Sequence, residues 1–204
     1  MNFKKIIAAM VYLAVISLPA CKAVKENFGG GVDMSQQDQV NKIPGIIAKK
    51  VQPEELLLEI DFDFHNSQSF TQEAKAVEVV KADGFKVIKI SLNTEDSIGS
   101  KSMEEFPWYK DMVRNAKPLS QFDFSKIAQY VNEAIQQIDG NNYEYAGLGN
   151  YTLKVAKGGI GHEFDIQTTK KGESSKQNGK MITTNYYELN FEVTPEGKLI
   201  NKSK

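Results

Sequence analysis

Cysteine is almost absent from this sequence, since Cys21 is the only one among 204 residues. An internal disulfide needs two cysteines, so side-chain packing must stabilise the fold. The chain also lacks an excess of charge of one sign, because 25 basic and 26 acidic residues give a formal net charge of −1. Binding to a nucleic-acid backbone depends on a strong basic field. The composition therefore argues against a nucleic-acid partner.

The N-terminal apolar run, residues 6–18, is too short to cross a bilayer, for which a helix needs about 20 residues. Lys4 and Lys5 precede this run and small residues follow it, which is typical of an export signal. The segment Leu18-Pro19-Ala20-Cys21 resembles the lipobox of bacterial lipoprotein signal peptides. This resemblance implies cleavage before Cys21 and fatty chains on its sulfur. An uncleaved membrane anchor and an ordinary signal peptide cut nearby are the alternatives.

A lipid on Cys21 predicts a protein of the bacterial cell envelope that stays on a membrane surface. One acyl chain binds a membrane only marginally, so the several chains of bacterial lipoproteins make the anchor stable. Lys22 follows the lipid site, where an aspartate implies retention at the inner membrane in families resembling the enteric ones. The outer membrane is therefore the preferred location.

Composition divides the chain into three parts. Residues 1–20 form the signal peptide, and residues 21–42 are polar and contain Gly29-Gly30-Gly31, which predicts a flexible tether. A short helix through residues 36–49 is the alternative for the second half of this tether. Residues 43–204 are predicted to form a globular domain, with sub-halves 43–117 and 118–204.

Alternation of apolar and polar residues predicts strands in the first half of the domain. Leu58, Ile60, Phe62 and Phe64 alternate with polar residues, which indicates one strand with a buried face and a polar face. Residues 73–81 could form a short helix or a strand. Asp83-Gly84 stands between two β-branched runs, so the sequence favours a hairpin there.

The second half carries the main predicted helix, residues 125–139, with Ser125 as its cap and Gly140 at its end. Strands are predicted around residues 143–145, 151–155, 163–168 and 182–193. A helix followed by antiparallel strands indicates an α+β fold in which the sheet packs against that helix. The halves repeat the order of a helix and strands, which weakly resembles the PepSY-like group of export-associated modules.

Two acidic or histidine-bearing segments are candidates for chemistry. Glu59, Asp61, Asp63 and His65 share a strand face, where carboxylates and an imidazole could bind a divalent metal. Same-face neighbours on a strand lie about 7 Å apart, so the favoured interpretation is a solvated face with cross-strand ion pairs to Lys89 or another lysine. His162 follows a glycine-rich turn and is predicted to lie at the surface.

The aromatic segment around Trp108 and Tyr109 is the candidate ligand-binding site. Exposed rings of this kind stack on sugars or anchor a protein partner. In the alternative, the rings are buried and pack against the short helix predicted after them. The polar segment 170–180 is predicted to be a mobile hairpin tip.

Usual markers of catalysis are missing from the sequence. It contains no Gly-x-Ser-x-Gly, no Ser-x-x-Lys and no His-Glu-x-x-His, and its only thiol is assigned to lipid. We therefore predict no catalytic residue, no metal and no cofactor, and a non-enzymatic envelope lipoprotein that binds a protein or a small ligand. A hydrolase using paired carboxylates and a carrier of a lipophilic ligand are the alternatives.

Overall fold

A computed structural model describes residues 30–64, 70–102, 113–173, 175–178 and 181–203 of the chain. The folded unit begins at Gly31. No helix among the described residues is long and apolar enough to cross a membrane. Cys21, Trp108, Tyr109 and His65 lie outside the described residues, so their predicted roles stay predictions.

Antiparallel strands make up most of the fold. The helices are α1 (Gln37–Val40), α2 (Ile43–Ile47) and α3 (Ile127–Ile135). The strands are β1 (Val32–Asp33), β2 (Leu56–Asp63), β3 (Glu73–Ala74), β4 (Ala76–Lys81), β5 (Lys86–Ser91), β6 (Ser97–Ser102), β7 (Lys117–Pro118), β8 (Tyr143–Ala156), β9 (Gly159–Lys170), β10 (Lys176–Asn178), β11 (Met181–Thr183), β12 (Tyr187–Val193) and β13 (Leu199–Asn201).

The main sheet consists of two meanders placed side by side. Its order is β13-β12-β9-β8-β2-β4-β5-β6, and β7 pairs with the start of β2. The strands of the first half, β2-β4-β5-β6, meet those of the second half where β2 pairs antiparallel with β8. The predicted α+β class, with antiparallel sheet and one main helix, is confirmed.

One face of the sheet carries the main core, which both halves share. In α3, Ile127, Val131 and Ala134 have no exposed surface, because the apolar residues of this helix recur on one side of it. Tyr151 of β8 is fully buried in the same cluster, and its ring packs edge-on against Phe62 of β2. The other side of the sheet carries polar residues and a second, smaller apolar cluster.

The folded unit starts earlier than the predicted tether allows. Residues 31–42 contain β1 and α1, and β1 pairs with β3. Met34 and Val40 are fully buried in the main core, so two apolar side chains in a polar stretch fix this segment to the domain. The prediction of a flexible tether is corrected for residues 31–42, and residues 21–29 lie outside the described part.

The main helix is shorter than predicted. It has nine residues and begins after Lys126, with no side-chain hydrogen bond at its N-cap. Ser125 lies one residue before this cap, and its backbone N–H donates to Asp123 Oδ1 at 2.8 Å. Ser125 therefore belongs to a turn on Asp123, and the predicted cap is wrong.

A β-bulge in β2 separates two neighbouring leucines. The register with β4 shifts between Leu57 and Glu59, so Leu58 is an extra residue in the strand. Leu57, Ile60 and Phe62 lie in the main core. Leu58 packs instead against Phe85 in a smaller cluster, so its predicted place on the same face as Ile60 is wrong.

The hairpin predicted at Asp83-Gly84 is confirmed. Residues 76–81 form β4, which pairs antiparallel with β5, and the alternative of a helix over residues 73–81 is excluded. Gly84 has a φ of 62°, a conformation that glycine adopts without strain.

In the second half, the segment 170–180 predicted as a loop contains β10, which pairs with β11.

Candidate binding surface

A continuous row of side chains crosses the sheet on the face opposite the main core. Directly paired residues of neighbouring antiparallel strands share a face, so the ladder register defines this row. We call it the outer row, and its members run from β12 to β6: Glu192, Glu163, Thr152, Asp61, Glu78, Lys89 and Gly99. The row is mostly acidic and ends at a glycine on the edge strand.

Cross-strand contacts hold the middle of this surface together. Thr152 Oγ1 donates to Asp61 Oδ1 at 2.6 Å. Lys89 Nζ lies 2.5 Å from Asp63 Oδ2 and 3.3 Å from Glu78 Oε1. The predicted ion pairing of Lys89 across strands is confirmed, which favours the interpretation of this face as a polar surface.

Two carboxylates of β2 sit in an unfavourable electrostatic position. Burial raises the pKa of Glu59, and the neighbouring charge of Asp61 raises it further. Burial also raises the pKa of Asp61, a rise that the hydrogen bond from Thr152 opposes. These two residues retain more affinity for protons than exposed carboxylates. Within the described ranges, no group of three or more His, Cys, Asp or Glu has the placement of a metal site.

An open cavity of about 290 Å³ adjoins the β6 end of the outer row. Its lining includes Val87, Ile98, Lys89 and Glu78, with Gly99 and Lys101 from the edge strand. Val87 is only 3% exposed although it faces the outer side, whereas Ile98 is 59% exposed. The cavity thus combines an apolar floor with a charged rim.

Asp165 is a buried carboxylate of β9 that no motif in the sequence singles out. It is 3% exposed and receives hydrogen bonds from the backbone N–H groups of Gly149 and Asn150, while Gln167 Nε2 donates to Oδ2 at 2.8 Å. The β8–β9 register shifts between Leu148 and Asn150, so Asp165 satisfies donors that a bulge removes from the ladder. Its role is structural.

His162 lies in the interior, so its predicted surface position is wrong. It is 7% exposed, and its Nδ1 shares a hydrogen bond of 2.8 Å with the Tyr151 hydroxyl. Its ring packs edge-on against Tyr130 of α3. Burial lowers the pKa of His162 to about 4, and the nearby Asp123 carboxylate opposes this shift. The histidine is therefore neutral at pH 7 and stabilises the contact between sheet and helix.

Comparisons with known proteins identify no family for this chain. No family model matches the sequence, and no curated protein matches it. Among solved structures, the crystal structure of a "putative lipoprotein" from Clostridium difficile is similar over 78% of this chain and 88% of that protein, with 12% sequence identity and a TM-score of 0.42. This similarity is too low to carry an argument about fold or function.

Proposed function

We propose that this protein is a bacterial envelope lipoprotein whose folded domain, anchored through lipid on Cys21, binds a partner with the outer side of its sheet. The lipobox-like segment that ends at Cys21 carries the first part of this proposal. A lipid anchor concentrates a domain at a membrane surface, where its exposed face meets other envelope components. The outer membrane is the proposed location.

The layout of the domain supports a binding role. The space between helices and sheet contains fully buried apolar side chains, among them Met34, Ile47, Leu153 and Ile166. A carrier of a lipophilic ligand would need that space for its ligand. The outer row, in contrast, presents hydrogen-bonding and charged groups on a rigid sheet, which favours recognition of a partner.

Replacing the proposed lipid site tests the anchor. We expect Cys21→Ser to abolish incorporation of labelled fatty acid and to move the protein from the membrane fraction to the soluble fraction. Ser17→Ala, inside the same apolar run, is the matched control and should leave both unchanged. Intact-mass analysis that finds a bare thiol at Cys21 in the mature wild-type protein would overturn the anchor.

Affinity capture from detergent-solubilised envelopes tests the binding role. The wild-type protein should enrich a specific partner. The double variant Asp61→Lys, Glu163→Lys, which reverses two charges of the outer row, should lose it. Equal recovery of the partner by both proteins would show that it binds a surface other than the outer row.

A hydrolase that uses paired carboxylates is the second candidate, and one observation favours it. Glu59 and Asp61 are two residues apart on the same face, and both have raised pKa values. If they act as an acid and a base, Glu59→Gln and Asp61→Asn should each abolish hydrolysis of an envelope glycan by the purified protein. Full activity in both variants would eliminate this candidate.

A further inference from the structure

Strand β6 differs from the other strand at an end of the main sheet. Residues 97–101 are all exposed, and within the described part of the chain β6 pairs only with β5. The opposite end strand, β13, has half-buried residues and contacts α3. A strand with one neighbour leaves part of its backbone N–H and C=O groups free to bind another extended chain.

Gly99 follows a bulge in β6, since the register with β5 shifts between Lys89 and Ile90 and leaves Ile98 as an extra residue. A Cβ at Gly99 would meet no atom within 4 Å, and its φ lies outside the left-handed region. It is paired with Lys89 and occupies the edge of the outer row. Because glycine has no side chain, the cavity beside Val87 is open towards the outer edge of β6 at this position, and we call this opening the gap. Glycine in a strand marks a bulge or a place where another chain approaches closely, and the open space at Gly99 allows the second role beside the first.

Lys101 supplies a positive charge beside this gap. It lies two residues beyond Gly99 on the same face, paired with Val87, and it lines the cavity. Among the described residues Lys101 forms no ion pair, whereas Lys89 is already paired with Asp63 and Glu78. A carboxylate on a partner would therefore meet a cation that no carboxylate of the described residues pairs with.

We infer that β6 is a docking edge for an extended segment of a protein partner, which adds a strand at residues 99–102. Its residue opposite Gly99 is apolar and enters the cavity, and its residue opposite Lys101 is acidic. Main-chain hydrogen bonds give affinity in this mode of recognition, and pockets for alternate side chains give specificity. The inference rests on the proposed binding function and names the partner's chemistry.

A second copy of this chain fits the edge less well. In an antiparallel pair of β6 strands whose twofold axis passes at Ser100 or Lys101, both Lys101 ammonium groups would lie on one face as neighbours. Like charges in such positions destabilise a pair of strands. The heterologous segment with a carboxylate has no such conflict.

Peptide binding to the full-length protein in detergent tests the docking edge. The probe is a dye-labelled peptide of alternating residues, with leucine and glutamate two positions apart in a run of threonine. The control peptide has the same composition with leucine and glutamate adjacent, which places them on opposite faces of a strand. Fluorescence anisotropy should show saturable binding of the first peptide and at least tenfold weaker binding of the second, a difference of about 1.4 kcal/mol.

Matched variants locate the site. Gly99→Leu fills the gap at the cavity and should weaken binding at least tenfold, whereas Gly140→Leu, at another glycine with open space around it, should leave binding unchanged. Lys101→Glu should weaken binding of the glutamate peptide and improve binding of a peptide with lysine in its place. Hydrogen exchange should slow at residues 99–102 when the first peptide binds.

Three results would overturn the docking edge: equal affinity for the two peptides, no effect of Gly99→Leu, or a dimer of the wild-type protein that Gly99→Leu dissociates. The last result would assign β6 to a second copy. Failure of the peptide to bind, with a partner still captured from envelopes, would reject this edge but leave the proposed binding function standing. The Cys21→Ser variant should bind the peptide normally, because the proposed docking edge contains only residues 97–102.

Discussion

At the scale of single residues, the closest approach to any described glycine occurs at Gly149. A Cβ there would come within 1.9 Å of Asp165 Oδ2. The buried carboxylate would therefore have to move away from the backbone N–H groups from which it accepts hydrogen bonds. We expect Gly149→Ala to lower the free energy of unfolding by about 2–3 kcal/mol, measured by urea denaturation with circular dichroism.

Gly45→Ala provides the control for that substitution. Gly45 lies in α2, where an added methyl group would meet no atom within 4 Å, so alanine should be neutral or stabilise the protein by about 0.5–1 kcal/mol. If both variants unfold at the wild-type urea concentration, the Asp165 carboxylate does not depend on the close approach at Gly149.

His162 should make the protein sensitive to acid. Its folded pKa of about 4 lies below the ordinary value of 6.5, so the unfolded chain takes up the proton first as the pH falls. The stability that His162 contributes is complete above pH 6.5 and is lost as the pH falls towards 4. The loss reaches about 3 kcal/mol, since one pKa unit corresponds to about 1.36 kcal/mol.

Urea denaturation between pH 7 and pH 4 measures this effect. In His162→Gln the position cannot titrate, so the decline in stability over that range should be about 3 kcal/mol smaller than in the wild type. A variant whose stability falls as steeply as that of the wild type would show that other groups govern the acid response.

The glycine-rich turn before His162 indicates surface exposure, whereas burial of this residue depends on α3, which is distant in sequence.

At the scale of elements, local patterns predict strands better than their exact faces. The alternation from Ile60 to Asp63 is regular, and it predicts both the strand and its ion pair with Lys89. Leu56, Leu57 and Leu58 are all apolar, so no alternation marks the bulge that turns Leu58 to the other side. The cavity beside Gly99 could not be predicted, because the register of β5 and β6 brings its residues together.

Burial, and repulsion within the outer row, should make the charged form of Asp61 destabilise the folded protein. Its folded pKa is raised by burial and, in lesser part, by Glu78, so the stability associated with its proton is lost as the pH rises through that pKa. Asp61→Asn keeps an acceptor for Thr152 and removes the charge. We expect it to stabilise the protein at pH 7 by up to about 1 kcal/mol, with the gain shrinking in acid.

Thermal unfolding of Asp61→Asn at pH 7 and pH 4 measures this gain. Glu192→Gln is the control, since Glu192 pairs with Lys202 in an exposed position and such pairs contribute little. Destabilisation by Asp61→Asn at pH 7 would mean that the charged hydrogen bond with Thr152 outweighs repulsion and burial.

At the scale of the whole molecule, the shared core should make both halves unfold together. Phe62 from the first half contacts Tyr151 from the second, and one buried cluster contains residues of both. We expect a single transition in which the calorimetric and van't Hoff enthalpies agree. Two separate transitions would show that each half is stable alone.

The pairing of β2 with β8 also sets the order in which the fold can be completed. Asp61 and Thr152, joined across this pair, are 91 residues apart in sequence. Until the C-terminal half of the chain is available, β2 exposes an unpaired edge together with Ile60 and Phe62, and such edges favour aggregation. A chain truncated before β8 should therefore aggregate unless a chaperone binds it.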